Sequence, residues 1–99
     1  MDDITHKIRA RFDHEAAKHT LREKYEAKML FAHQGGMFRA SAELIVLLSS
    51  FTDDTIVILD EFKNPTRVNR TNLLQEAKQR HQEMLNAWSV ELDGMSTQR

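Results

Sequence analysis

Histidines and carboxylates are the groups in this chain whose spacing could support chemistry. His14-Glu15-Ala16-Ala17-Lys18-His19 sets two histidines around a glutamate, the composition of a helical zinc-hydrolase motif. That motif needs its histidines four apart, so that both imidazoles leave one face of a helix. Here they are five apart, which is about 140° around a helix turning about 100° per residue. One ion cannot meet both, and the pair reads as solvated histidines on a charged helix. His81 falls on an apolar face between Ala77 and Met84. It would act there as a general base or pH-sensitive contact, or sit at the edge of the core with one hydrogen-bond partner, the more ordinary role. An enzyme would have to pair His81 with Asp60 or Glu61. Neither that pair nor Asp53-Asp54 comes with a second set of acids in the sequence. Gln34-Gly35-Gly36 lacks the Lys-Ser/Thr of a phosphate loop, and Ser49-Ser50 lacks a nucleophile elbow. With no cysteine in the chain, disulfides, thiolate metal sites and a cysteine nucleophile are excluded. The expectation is no enzyme, no cofactor and no metal.

The elements that would position any site belong to one small domain. The chain has 99 residues, 40% of them apolar and 29% charged, with a net charge of -1. That balance argues against a general polyanion binder. Met1-Asp2-Asp3-Ile4-Thr5 has no apolar core of a secretory signal. The longest apolar run, Leu44–Leu48, is far short of the roughly 20 residues that span a bilayer. A cytoplasmic protein without a membrane anchor is expected.

Residues 1–27 read as an amphipathic helix with a thin stripe: Ile4, Ile8 and Phe12 at i, i+4 spacing, then Ala16, Ala17, Leu21 and Tyr25. So narrow a stripe suits packing along a partner helix, within the chain or outside it. Short apolar runs on either side of Gly35-Gly36 predict a β-hairpin, with both glycines supplying positive φ. The rival reading continues the first helix to His33 and breaks it at Gly35. Ser41 is placed to cap a helix over Ala42 to about Ser50. That helix is apolar on nearly every side and so should be covered on most of them. Thr55–Phe62 is β-branched and bounded by turn residues. With Lys63-Asn64-Pro65 and Thr66–Val68 it forms a second hairpin. Asn69 or Thr71 caps a last helix whose Leu73, Leu74, Ala77, His81, Met84, Leu85, Trp88 and Leu92 share one face. Gly94 is the expected stop, and 95–99 a loose tail. The fold class is therefore α+β, three helices with two short antiparallel hairpins in the order α-ββ-α-ββ-α, as one domain over 1–94. Leu44–Leu48, Ile56, Ile58, Leu73, Leu85 and Trp88 are the expected core.

Two surfaces compete for a binding role. Five methionines, five phenylalanines, Trp88 and Tyr25 are many large apolar side chains for so short a chain. Ile4, Ile8, Phe12 and Tyr25 on the first helix, with Met37 and Phe38 at an exposed hairpin tip, are the expected protein interface. Such an interface would respond little to salt. The alternative is a small regulator binding nucleic acid or a polymerase through Arg67, Arg70, Lys78 and Arg80 on the basic 63–80 segment. Interleaved Glu61, Glu76 and Glu83 weaken that reading, as does having only Phe62 nearby for stacking.

Three stretches carry a family likeness. They are Leu21-Arg22-Glu23-Lys24-Tyr25-Glu26-Ala27-Lys28-Met29-Leu30-Phe31-Ala32-His33 with Gly36-Met37-Phe38, then Asn64-Pro65 with Val68-Asn69-Arg70, then Gln82-Glu83-Met84-Leu85-Asn86-Ala87-Trp88. In these the chain resembles small structural or assembly proteins of tailed bacteriophages of the T-even type, including head and prohead-core components. The resemblance implies a non-catalytic part of the virion or of its assembly machinery. It implies other structural proteins and copies of this chain as partners, and the host cytoplasm, then the virion, as location.

Overall fold

A computed structural model describes residues 2–97. It contains α1 (Asp2–Lys28), β1 (Leu30–His33), β2 (Gly36–Arg39), α2 (Ala42–Ser50), β3 (Thr55–Leu59), β4 (Pro65–Asn69) and α3 (Arg70–Thr97). The α+β order α-ββ-α-ββ-α is the one the turn and periodicity signals predict, and each hairpin is an antiparallel two-stranded sheet.

The first hairpin turns one residue earlier than Gly35-Gly36. Gln34 (φ 48°) and Gly35 (φ 85°) take the left-handed positions, and His33 pairs with Gly36. Two positive φ values in a two-residue loop match the twist of the flanking strands. Gly36 is needed for a different reason, because it lies in β2 and is buried. A Cβ there would stand 2.9 Å from Phe38 Cε2 and 3.0 Å from Thr66 Cγ2. The side-chain alternation of β2 then turns Phe38 inward beside Phe31, with ring centroids 6.4 Å apart.

Ser41 caps α2 as expected, its Oγ accepting from the Leu44 N–H at 3.1 Å. The core is built from Met29, Phe31, Phe38, Ala40, Leu48, Ile56, Ile58, Val68, Leu73 and Ala77. Of the apolar run in α2 only Leu48 is fully buried. Leu44 and Ile45 pack against the core, while Val46 and Leu47 face outward. A single helix layer covers one side of α2, so its far side stays open. Leu85, expected in the core, is exposed, and Trp88 is half-buried.

β3 stops at Leu59 rather than Phe62, because Asp60 opens the turn. Its buried carboxylate accepts from the N–H groups of Phe62 and Asn64, each at 2.9 Å, and of Met37 at 3.2 Å. Asn69 caps α3 through its Oδ1, which accepts from the Asn72 N–H at 2.9 Å. Gly94 does not end α3, which runs through it to Thr97. Met95 beyond it is half-buried, so the helix still has a face to cover there. The expected tail over 95–99 is thus helical to Thr97, and Gln98 and Arg99 lie outside the described residues.

Candidate interaction surface

α1 and α3 run antiparallel. Tyr25 stacks on Trp88 with ring planes 5° apart and centroids at 6.1 Å. Lys24 Nζ and Tyr25 Oη both donate to Glu91 Oε1. Those donors, Lys24 first and Tyr25 second, hold the Glu91 carboxyl below its ordinary range against the opposing effect of burial. Among the described residues of α1 the buried ones are Leu21 and Tyr25, both in its second half, and buried Met29 follows just past its end. Tyr25 is only 3% exposed, so it belongs to the contact with α3 and is not free to meet a partner. This corrects its assignment to the interface.

The first half of α1 is different. Ile4, Ile8 and Phe12 are uncovered, Ile8 at 64% and Phe12 at 74% exposure. At about 100° per residue, Ile8 at the middle of this stripe is rotated about 100° from the Leu21–Tyr25–Met29 face. The stripe therefore does not continue the seam with α3; it points elsewhere. This half-helix is the exposed arm that the thin apolar pattern anticipates.

The hairpin tip is not an anchor. Phe38 is 2% exposed and sits in the core. Met37 is half-buried, its N–H bound to Asp60 and its carbonyl accepting from the Glu61 N–H at 2.7 Å. Both were expected at an exposed tip. The turn consists of Gln34-Gly35 instead, and the strand that follows carries Phe38 inside. The Gln34 side chain is itself engaged, its Oε1 accepting from the Asn69 N–H at 2.7 Å.

The second open apolar surface was not anticipated. It is the outer side of α2, with Val46 68% exposed and Leu47 beside it. Ala42 and Ser50 complete that side, Glu43 edges it, and together they line a shallow apolar depression. The hydroxyls of Ser49 and Ser50 donate back to the carbonyls of Ile45 and Leu47 at 2.7 and 2.6 Å. A face rich in small residues with satisfied hydroxyls behaves as apolar surface. The signal was present in the sequence: an apolar helix of nine residues has more apolar sides than one core can cover.

The chemistry-bearing residues are occupied structurally. His81 Nδ1 donates to the Ala40 carbonyl at 2.8 Å, the core-edge role. Asp60 is bound to backbone amides, Asn64 foremost, and these hold its carboxyl below the ordinary value although burial opposes them. Glu61 pairs with Arg39 at 3.2 Å. His81, Asp60 and Glu61 thus each have another partner, and none is bonded to another of the three. His14 is half-buried and His19 Nε2 meets Glu23 at 2.7 Å. Among the described residues no group of three or more His, Cys, Asp or Glu side chains is arranged to hold a metal.

The basic segment does not form one patch either. Arg70 ties the end of α2 to α3: its Nε donates to the Asp53 carbonyl at 2.8 Å and its Nη1 to the Leu48 carbonyl at 3.3 Å. Arg80 pairs with Glu76 at 3.1 Å and lies over the Phe31 ring. Arg67 and Lys78 make no ion pair among the described residues and sit on different elements, β4 and α3. Comparison with family models, curated proteins and solved structures gives no match. Among the described residues no helix is long and apolar enough to cross a membrane.

Proposed function

We propose that the protein is a non-enzymatic interaction module serving as a structural or assembly component of a tailed-phage particle. The interaction reading is carried by one observation. A half-helix presents Ile4, Ile8 and Phe12 to solvent on a face its own chain does not use, and uncovered apolar stripes of this kind are interface anchors. The absence of a catalytic role is supported by His81, Asp60 and Glu61 each being bound to structural partners. Protein is favoured over nucleic acid as partner because Arg70 and Arg80 are engaged within the fold. The phage reading is supported by the resemblance of Leu21–His33, Gly36–Phe38, Asn64-Pro65, Val68–Arg70 and Gln82–Trp88. On it the chain works in the host cytoplasm during assembly and travels with the particle.

Peptide mass spectrometry of purified particles and of their assembly intermediates tests this. Peptides of this chain are expected at a fixed stoichiometry to a major structural protein. Their absence from both fractions, in cells that contain the chain, would overturn the particle reading. Tight binding to DNA or RNA that weakens steeply with salt in a gel-shift series would overturn the preference for protein.

A further inference from the structure

The hydrogen bonds of the second hairpin leave one edge of β3 unused. The Arg70 N–H donates to the Asp54 carbonyl and the Asp60 N–H to the Asn64 carbonyl, in register with the pairs Ile56–Val68 and Ile58–Thr66. Bonded and unbonded positions alternate along an antiparallel pair, so the even-numbered residues of β3 face β4. Pro65, which has no N–H to give, stands opposite Leu59 at an unbonded position. Thr55, Val57 and Leu59 therefore turn their N–H and C=O groups away from β4. Among the described residues nothing pairs with those groups.

The other strand edges are shorter or guarded. At the β2 edge the Met37 N–H is bound to Asp60 and its carbonyl accepts from Glu61. The β4 edge carries Pro65 and Arg67, and its Asn69 N–H is bound to Gln34. On β1, whose bonded positions follow from the Ala40 N–H on the Met29 carbonyl, only Leu30 and Ala32 turn outward. β3 reads Thr-Ile-Val-Ile-Leu, without charge, glycine or proline, and none of the devices that keep an edge from pairing is present in it. We infer that β3 pairs edge to edge, antiparallel, with β3 of a second copy, so that the two hairpins form one four-stranded sheet across a two-fold axis. The inference goes beyond the reading above, since it needs neither the arm on α1 nor a phage particle.

Register and symmetry select this occupant. The free groups at 55, 57 and 59 are spaced evenly about Val57. A two-fold axis there sets Val57 against Val57 of the second copy and Thr55 against Leu59, and each pair exchanges both of its N–H···O bonds. A slip of two residues leaves one of the three unpaired on each chain, and a slip of one sets free groups against bonded ones. The side chains agree with the backbone. Val57 and Leu59, 55% and 58% exposed, gain Val57 and Thr55 of the second copy as cross-strand neighbours. α2 borders the edge without covering it, since Leu44 and Leu47 share an open depression with Leu59.

Charge neither drives nor prevents the pairing. Asp53 and Asp54 precede β3, with Arg70 bound to the Asp53 carbonyl. At the other end Glu61 is paired with Arg39, and Lys63 lies across the same depression from Glu43. Asp60 is held by amides, and Arg67 stands opposite Val57 on β4. Both signs thus meet at the edge, and association should change little with salt. An edge of five residues covers less than the about 800 Å² per partner of a standard complex, so the dimer is weak and isologous.

Cross-linking with introduced cysteines tests the register, since the natural chain has none. Thr55, Val57 and Leu59 are all exposed, so their variants should fold, with circular dichroism as the check. Val57→Cys should form a disulfide dimer by itself, because the facing Cα atoms would be about 5.5 Å apart. Thr55→Cys and Leu59→Cys should each remain uncross-linked alone and give a dimer several-fold more abundant when mixed. The wild-type chain should sediment as a dimer of the 11.5 kDa protomer as its concentration rises. Amide exchange at Thr55, Val57 and Leu59 should slow over the same range. Val57→Lys, which sets two lysines face to face at the axis, should stay monomeric. A wild-type chain monomeric up to about 1 mM would overturn the inference. So would a dimer that Val57→Lys leaves intact, or one in which those three amides exchange as fast as in the monomer. Thr55→Cys or Leu59→Cys cross-linking alone as readily as the mixture would overturn the antiparallel register.

Discussion

Glu76 on α3 ties that helix to β1 through one carboxylate. Oε2 accepts from His33 Nδ1 at 2.7 Å at the end of β1, and Oε1 accepts from Arg80 Nε at 3.1 Å one turn along. Burial pushes its pKa up, but the hydrogen bonds and charges of His33 and Arg80 outweigh burial and bring it below the ordinary 4.5. Between 4.5 and the lower folded value the unfolded chain binds more protons than the folded one. The stabilisation is therefore complete above the unfolded value and is lost as pH falls through the folded one. Glu76→Gln keeps the shape and an acceptor but removes the titration. Urea unfolding should show it less stable than wild type by about 1 kcal/mol at pH 7, with the difference shrinking by pH 3. A constant difference across that range would refute the account. Asp60 is held in a different way. Its partners are backbone amides of a turn, which no side-chain motif announces.

The pairing of α1 with α3 depends on a few contacts in the second half of α1. The Tyr25–Trp88 stack is one of them, so a double-mutant cycle over Tyr25→Leu and Trp88→Leu should return a coupling of about 1 kcal/mol. Additive effects would mean that the rings share a surface without a specific interaction. Much of this scale was legible in the sequence. The bounds of α2, its Ser41 cap, both hairpins and the Asn69 cap follow from local chemistry that tertiary packing does not contest. Other features depend on what lies across the chain. Gly36 reads as a turn residue until Thr66 is found against it, and Gly94 as a helix stop until Met95 is found covered. Tyr25 and Phe38 resemble surface anchors because large aromatic residues look alike in sequence whether a partner or the chain itself covers them. In α2, periodicity could not say which of five consecutive apolar residues would be left outside. The arm was legible in outline, since Ile4, Ile8 and Phe12 stand among charges. The open outer side of α2 was hidden inside what looked like core.

At the scale of the whole molecule, a packed end built from both hairpins, α2 and the start of α3 continues into two antiparallel helices, one of which outruns its partner. Ile4, Ile8 and Phe12 contribute almost nothing to burial within the chain, so residues 1–12 should be removable at a cost within about 1 kcal/mol. Thermal unfolding of a chain beginning at Asp13 checks this. A loss of several kcal/mol would show that the arm belongs to the fold. A glycine- and proline-free α1 also acts as a ruler with a phase. Each residue inserted between Asp13 and Lys18 would advance the arm by about 1.5 Å and rotate its apolar stripe by about 100°, leaving the packed end unaltered. Seven inserted residues would nearly restore the bearing at greater reach. A partner that met the arm would therefore read it by angle as well as by distance.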